Sequence, residues 1–454
     1  MKQYFFTAKN IEDFRQYCNE ALLNKKIFIA EKDGKPTKEF LDAISDDLKG
    51  ELVEQEIFKS RLKKLFKMSD RIFEYKIFCE TGIKGLRFDF NFGLQIEVPK
   101  GNYRVRIGDA DTGEIFFDNR VTVGARLISL EQYFIRWHFE VFRDDKKTFE
   151  HTLNLDGQKV NIMMGGGMGD MLSILPFVRE FKRRHNCKLT VIMPEYMREL
   201  TLNLYPELPQ AKKSYFNVYA TYYPMTSISS LGLGACDTRN TPIERVGGAN
   251  LGLKNLPPKP TFKPTAPPVT RDPYVCIAVQ ASGTIKSWLY PDGWDIVIDY
   301  LKSLGYRVFC IDKDTEQTNY GMTIKMPEGA EDFTGDLPLL ERANMLYHAE
   351  FFIGLSSGLA WLANIVNCPV VMICGFSKSW HEFYTPYRVA NRLVCNGCLN
   401  DLRVHFLHTE DACSYHAGTP RELECQKKIH PRQVINAINR LIADKHLTPP
   451  LGGI

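Results

Sequence analysis

The chain has 454 residues, enough for two or three domains with a large buried core. Its hydrophobic share of 44% and charged share of 25% are those of an ordinary globular protein, and a formal charge of +4 gives nucleic acid no electrostatic footprint beyond a local phosphate site. No apolar run approaches the roughly 18 residues of a membrane span, and the opening MKQYFFTAKNIEDFRQ turns polar too early for a secretory signal. The expectation is a cytoplasmic protein with no membrane insertion and no nucleic-acid partner, whose twelve cysteines stay reduced or hold metal.

Residues 1–83 read as a charged, helical N-terminal extension with a strand at 26–30 and no visible chemistry, which suits a structural or assembly role. Residues 84–150 change to the period of two that marks β-structure. Phe88, Phe90, Phe92, Leu94, Ile96 and Val98 alternate as one strand. A turn at 99–102, a strand through Tyr103, Val105 and Ile107, an acidic turn at 109–113 and further β residues at 115–117 and 121–123 follow. This small antiparallel β module is too aromatic to stand alone and is expected to pack on a neighbour or another subunit. Its acidic turn lacks the twelve-residue ligand pattern of a calcium loop.

The chain is organised around residues 161–184, NIMMGGGMGDMLSILPFVREFKRR. A short apolar run meets Gly165, Gly166 and Gly167, then Gly169 and Asp170, and continues with helically spaced Met171, Leu172, Ile174, Leu175, Phe177, Val178 and Phe181. Strand, glycine turn and helix open a parallel α/β domain, where the backbone approaches a ligand closely and the helix start favours negative charge. Asp170 is placed there as a helix cap or a catalytic base. The second strand is expected at 188–193, and the first Rossmann-like domain over 151–253. Within it, 215–250 is rich in Tyr, Ser, Gly and Thr and carries no clear element.

Residues 254–273 hold seven prolines and read as a stiff connector. A second Rossmann-like domain, 274–454, follows with strands at 274–279, 307–311, 351–353 and 370–374 and helices at 291–304, 339–347 and 359–366. Two such domains place a ligand in the cleft between them, beyond the carboxyl ends of the strands.

Two loops of the second domain suit a diphosphate, and a third turn is more often structural but lies where it could contact a nucleotide. Residues 280–288 offer small residues including Thr284, backbone N–H groups and the charge of Lys286; an ordinary loop with a solvated lysine is the plainer alternative. At 354–360, Ser356 or Ser357 caps the next helix and Gly358 leaves N–H groups for a phosphate oxygen, or the serines cap and nothing more. Asp332, Thr334 and Gly335 form a turn near the same edge. Neither a Walker loop nor a strand-borne GxGxxG is present, which disfavours nucleoside triphosphate hydrolysis and nicotinamide binding.

Cys395, Cys398, Cys413 and Cys425 cluster late, the first two as C-x2-C. In a reducing compartment this spacing reads as a closed, structural four-thiolate site for iron or zinc, with His405, His408 and His416 as alternative ligands. Four unrelated thiols or a redox C-x-x-C are the competing readings. Cys276, Cys310 and Cys374 read as small apolar fillers of core strands.

These residues together carry a resemblance. The stretch 169–176, GDMLSILP, resembles the GD-x5-P element of ADP-heptose-dependent heptosyltransferases. Lys286, Ser287 and Trp288, with 332–335 and 354–363, resemble their donor domain. The four-cysteine insertion and the preceding β module resemble one branch, the bacterial autotransporter heptosyltransferases, over roughly residues 85–445. The resemblance implies a GT-B fold with an ADP-heptose donor in the second domain and an acceptor facing the first. It implies Asp170 as general base and Lys286 on the diphosphate, with Thr284, Asp332, Thr334, Gly335, Ser356, Ser357 and Gly358 around the donor. It further implies iron in the four-cysteine segment 395–425 and assembly into a large ring such as a dodecamer. The implied acceptor is serine on an autotransporter adhesin passenger domain, modified by an inverting mechanism. Two departures separate this chain from lipopolysaccharide-type enzymes: Ser356, Ser357 and Gly358 replace Asp-Thr-Gly, and Trp361 replaces His. The alternatives are transfer to a lipopolysaccharide core and a non-catalytic nucleotide-binding scaffold.

Overall fold

The computed structural model describes residues 27–31, 76–122, 124–129, 131–212, 217–225, 234–319, 321–404 and 413–451. Most of the 1–83 extension and the candidate ligands His405 and His408 therefore lie outside the described residues. Strand Ile27–Glu31 is described, paired antiparallel with Ala125–Ser129.

In the first domain, strand Lys159–Met163 lies between Lys188–Ile192 and Ala220–Tyr222, all parallel. Met168–His185 is the expected helix. It buries Met171, Leu172, Ile174, Leu175, Phe177, Val178 and Phe181 and ends at Asn186 in the left-handed conformation, φ 48°. Lys182, Arg183 and Arg184 fall in its last turn, where positive charge suits the helix dipole.

The β module is continuous with this domain. Strand Arg87–Asn91 runs parallel to Ala220–Tyr222, so its hairpin with Gln95–Val98 and then Ala125–Ser129 extend the Rossmann sheet to nine strands. The expected single strand through 88–98 is folded into a hairpin. Phe92 (φ 59°) and Gly93 (φ 90°) turn the chain, and a Cβ on Gly93 would lie 2.3 Å from the Glu131 carbonyl. The tight turn keeps the alternation in step across the bend, so the period alone does not reveal it. A separate sheet of Ile115–Val121, Tyr103–Asp109, Trp137–Arg143 and Lys146–Thr152 packs on this hairpin. Phe88 meets Phe139 at 5.2 Å between ring centroids, and Phe90 meets Tyr219 of the first domain at 5.0 Å. The neighbour that covers the module's aromatics is thus its own chain.

The 254–273 connector forms no helix or strand, but it is tied down on both sides. Arg179 donates to the Pro258 carbonyl (3.3 Å) and Asn203 to the Lys263 carbonyl (2.9 Å). From the second domain, Asn364 accepts from Lys259 (2.5 Å) and Asn344 donates to Thr265 (2.9 Å). The second domain is a six-stranded parallel sheet ordered Glu331–Asp332, Arg307–Cys310, Tyr274–Ala278, Phe351–Leu355, Val370–Ile373, Arg388–Val389. The C-terminal helix Pro431–Asp444 is capped by His430 and buries Val434, Ile438, Leu441 and Ile442. Among the described residues no helix is long and apolar enough to cross a membrane.

Candidate active site

In each sheet the first strand of the α/β unit has successors on both sides: Lys159–Met163 in the first domain and Tyr274–Ala278 in the second. Such switch points leave a crevice at the strands' carboxyl ends. Met168–His185, which follows the first of these strands, and Gly358–Ile365, which follows the neighbouring strand Phe351–Leu355, bring their N-termini together across the domain boundary. A Cβ on Gly169 would stand 2.5 Å from Trp361 Cδ1, and one on Gly358 would stand 2.5 Å from Met168 Cε. Glycine at both positions lets the two domains touch. Between them lies a cavity of about 690 Å³, of a size that suits a sugar nucleotide. Gly166, Asp170, Lys286, Ser356, Ser357 and Gly358 all line it.

Asp170 is the third residue of its helix, and its carboxylate accepts the Gly167 N–H at 2.9 Å. The sequence alternatives of cap and base are therefore compatible: one oxygen closes the glycine turn while the residue faces the cleft. Burial pushes its pKa up, against the opposing pull of the Gly167 N–H and the Lys286 cation. A carboxylate so held is more basic than an exposed one.

Thr284–Lys286 form a single 3-10 turn that presents Lys286, whose ammonium donates to Ser282 Oγ at 3.2 Å. Beneath this loop lies Asp312, which the sequence reading missed. It is 2% exposed, accepts the Val279 N–H at 2.7 Å, and burial raises its pKa to about 6.

The serines behave differently from the capping expectation. Neither side chain caps the Gly358–Ile365 helix. Ser356 Oγ donates instead to Glu382 at 2.6 Å, and Ser357 Oγ is buried with no hydrogen-bond partner. Glu382 is the reason. It also accepts from Ser377 Oγ at 2.6 Å and pairs with Arg388 at 2.8 Å, deep in the protein. Burial alone would raise the Glu382 pKa, but Arg388, His381 and the two hydroxyls hold it below the ordinary value. The Ser356 hydroxyl thus serves as a donor to this acid, and Ser356, Ser357, Gly358 and Leu359 at the helix start line the cleft.

Asp332, Thr334 and Gly335 are not brought to the cavity wall. Asp332 instead accepts the N–H (2.8 Å) and hydroxyl (2.7 Å) of Thr334 in an exposed turn, and the Gly335 carbonyl accepts from Arg342 at 2.9 Å. The sequence reading also missed His381, Glu382 and Arg239, all in the cleft lining. The run HEFYTPYR, with an acid and a base amid aromatics, was the one local signal for the Glu382–Arg388 pair.

Cys398, Cys413 and Cys425 are buried and Cys395 is half-buried; no disulfide joins them. They lie close enough to interact: burial, then Cys413 and Cys395, push the Cys398 thiol up to about 11. Among the described residues, the group of three whose donor atoms fall within 4.8 Å of one another is Cys395, His416 and Glu424. The sequence reading named His416 as an alternative and did not name Glu424.

Two Rossmann-like domains facing one cleft, with a carboxylate on one wall and a lysine-bearing loop on the other, define a GT-B glycosyltransferase. Residues 252–406 match glycosyltransferase family 9 (heptosyltransferase), and residues 82–145 match the N-terminal domain of glycosyltransferase TibC. The chain is 39% identical over 379 residues to the autotransporter heptosyltransferase BAHTCr of Citrobacter rodentium, covering 80% of this chain and 91% of that one. It is 39% identical over 376 residues to the autotransporter heptosyltransferase TibC of Escherichia coli O78:H11, with the same coverage. A crystal structure of TibC, described as a dodecameric iron-containing heptosyltransferase in complex with ADP-D-beta-D-heptose, matches with a TM-score of 0.77 at 37% identity, over 82% of this chain and 99% of that one. An inactive autotransporter heptosyltransferase, BimC of Burkholderia thailandensis, is 32% identical over 80% of this chain and 87% of its own length. The chain belongs to the autotransporter heptosyltransferases.

Proposed function

We propose that the protein transfers heptose from ADP-heptose to serine residues of an autotransporter adhesin passenger domain, with inversion at the anomeric carbon, in the cytoplasm before export. The observation that carries this is Asp170, half-buried on one wall of the cavity and within electrostatic reach of Lys286 on the other. The serine oxygen attacks the anomeric carbon while Asp170 accepts its proton, and the bond to the diphosphate oxygen breaks. Lys286 and the N–H groups at the start of Gly358–Ile365 offset the charge that appears on departing ADP. Thr284 and Ser357 contribute to donor binding near that diphosphate. Asp332, Thr334 and Gly335 reach the donor only through its distal part, since they lie off the cavity wall.

Iron, with zinc as the alternative, fits the segment 395–425. Burial first, and the neighbouring thiols after it, push the Cys398 and Cys425 thiols up, and a bound cation would reverse that repulsion. Cys395, Cys398, Cys413 and Cys425 would hold the ion, which would supply a cross-link that orders the segment. Assembly into a ring of subunits, the dodecamer described for TibC, is part of the same reading.

Mass spectrometry of an adhesin passenger co-expressed with this chain is the direct test, with lipopolysaccharide core oligosaccharide as the competing acceptor. Heptose on passenger serines supports the proposal; heptose on the core alone overturns it. The inactive relative BimC favours keeping one second reading, a catalytically silent member of the family. That reading requires no ADP release from ADP-heptose with either acceptor.

A further inference from the structure

The first domain grips the cysteine segment through one side chain. Arg239, 8% exposed, precedes the helix Ile243–Asn250. Its Nε donates to the Leu399 carbonyl (2.6 Å), Nη1 to Val404 (3.0 Å), and Nη2 to Cys398 (3.2 Å) and Asp401 (2.5 Å). The link is returned: Asn400 Nδ2 donates to the Arg239 carbonyl at 2.7 Å, and the Ile243 N–H donates to the His381 carbonyl at 2.8 Å. Cys398 opens the 3-10 turn Cys398–Asn400, so two of the carbonyls that Arg239 reads, those of Cys398 and Leu399, belong to the turn that carries a candidate metal ligand, and the other two follow it closely in the chain.

The grip continues toward the chemistry without a loose joint. The Ile243–Asn250 helix lies so close to Met168–His185 that a Cβ on Gly248 would stand 2.5 Å from the Phe177 ring and one on Gly247 3.0 Å from Ile174. Met168–His185 is the helix that carries Asp170. A guanidinium is a rigid fork that matches a set of acceptors only in one arrangement, whereas an ammonium is a point charge. Burying it is favourable only while those carbonyls stay in place.

We propose that Arg239 is a positioning residue that locks the helix Ile243–Asn250, and through it the Asp170 helix, onto the cysteine segment, so that metal occupancy sets the geometry of the cleft. This rests on the heptosyl-transfer reading only in its kinetic arm; the exchange arm stands without it. The test is peptide-level hydrogen exchange on the full-length, metal-loaded protein, with strand Phe351–Leu355 as internal reference. In Arg239→Ala, exchange in 243–250 and 398–404 should quicken about tenfold or more while the reference strand is unchanged. Arg239→Lys should behave like Arg239→Ala. Metal-stripped wild type should show the same local loss. In the kinetic arm, kcat for transfer should fall by about tenfold or more in both variants, with ADP-heptose Kd within about threefold, because a misplaced base slows reaction more than binding. Unchanged exchange at 243–250 in Arg239→Ala overturns the lock, and wild-type protection in Arg239→Lys overturns the geometric argument. Metal removal that spares 243–250, or that exposes the reference strand equally, overturns the coupling to the metal. Wild-type kcat with altered exchange overturns the link to Asp170.

Discussion

The two walls of the cleft hold their acids in opposite ways. On the first wall, the Asp170 carboxylate is tied by one N–H, from Gly167, and faces the cavity. On the second, Glu382 is enclosed, with Ser356, Ser377 and Arg388 all directed at it. A lightly tied carboxylate keeps lone pairs free to accept a proton. A saturated one cannot do so, but it fixes the backbone around it. On the proposed mechanism the contrast separates a group that reacts from a group that shapes, although both are acids in one pocket.

The sharpest break of this comparison is Asp170→Asn. Transfer should slow by about 10²–10⁴-fold, the range of a lost general base, while ADP-heptose affinity measured by calorimetry stays near wild type. If turnover persists, the first wall is not the reactive one. Glu382→Ala should show the reverse pattern. Removing one partner of a buried pair costs about 3–5 kcal/mol of stability, to be read from chemical denaturation, and loosens the donor loop so that ADP-heptose binds more weakly. Equal stability of Glu382→Ala and wild type would falsify the shaping role. The smallest effect is a shift in pH dependence. Asp170 must be ionised to accept a proton, so the rate falls as pH drops through its pKa, which burial raises and Lys286 lowers. Lys286→Met removes that cation and should move the acidic limb of the pH–rate profile to higher pH, on top of its loss in rate. A limb that stays put would show that the two walls do not communicate electrostatically.

Much of this was legible locally. The turn at Gly165–Gly167, the apolar spacing from Met171 to Phe181 and the lysine at 286 each declare themselves within a few residues, because helix period and glycine turns are short-range signals. Repetition of that unit pointed to two Rossmann-like domains around a cleft, and the GT-B class itself was implied by the resemblance to the heptosyltransferases. What stayed hidden depends on partners far along the chain. Asn91 and Thr221 join through side chains at 2.6 Å, and their strands pair in parallel, which no local pattern could announce. Asp312, Glu382 and Arg239 read as ordinary surface charges until burial and long-range partners reveal them. That Ser356 donates to Glu382, and does not cap, could not be read locally, because the acceptor sits 26 positions away. For the metal, C-x2-C was plain, while the nearness of Glu424 to Cys395 and His416 is a matter of folding.

The connector has a mechanical consequence. A proline-rich strap tied by Arg179 and Asn203 on one side and by Asn364 and Asn344 on the other acts as a splint rather than a hinge. Together with the contact of Gly169 on Trp361, it leaves the two halves little room to swing. The cleft is thereby tied across its back, which lowers the ordering entropy due on binding. Traffic through it then depends on small movements of the rim rather than on the opening and shutting of jaws.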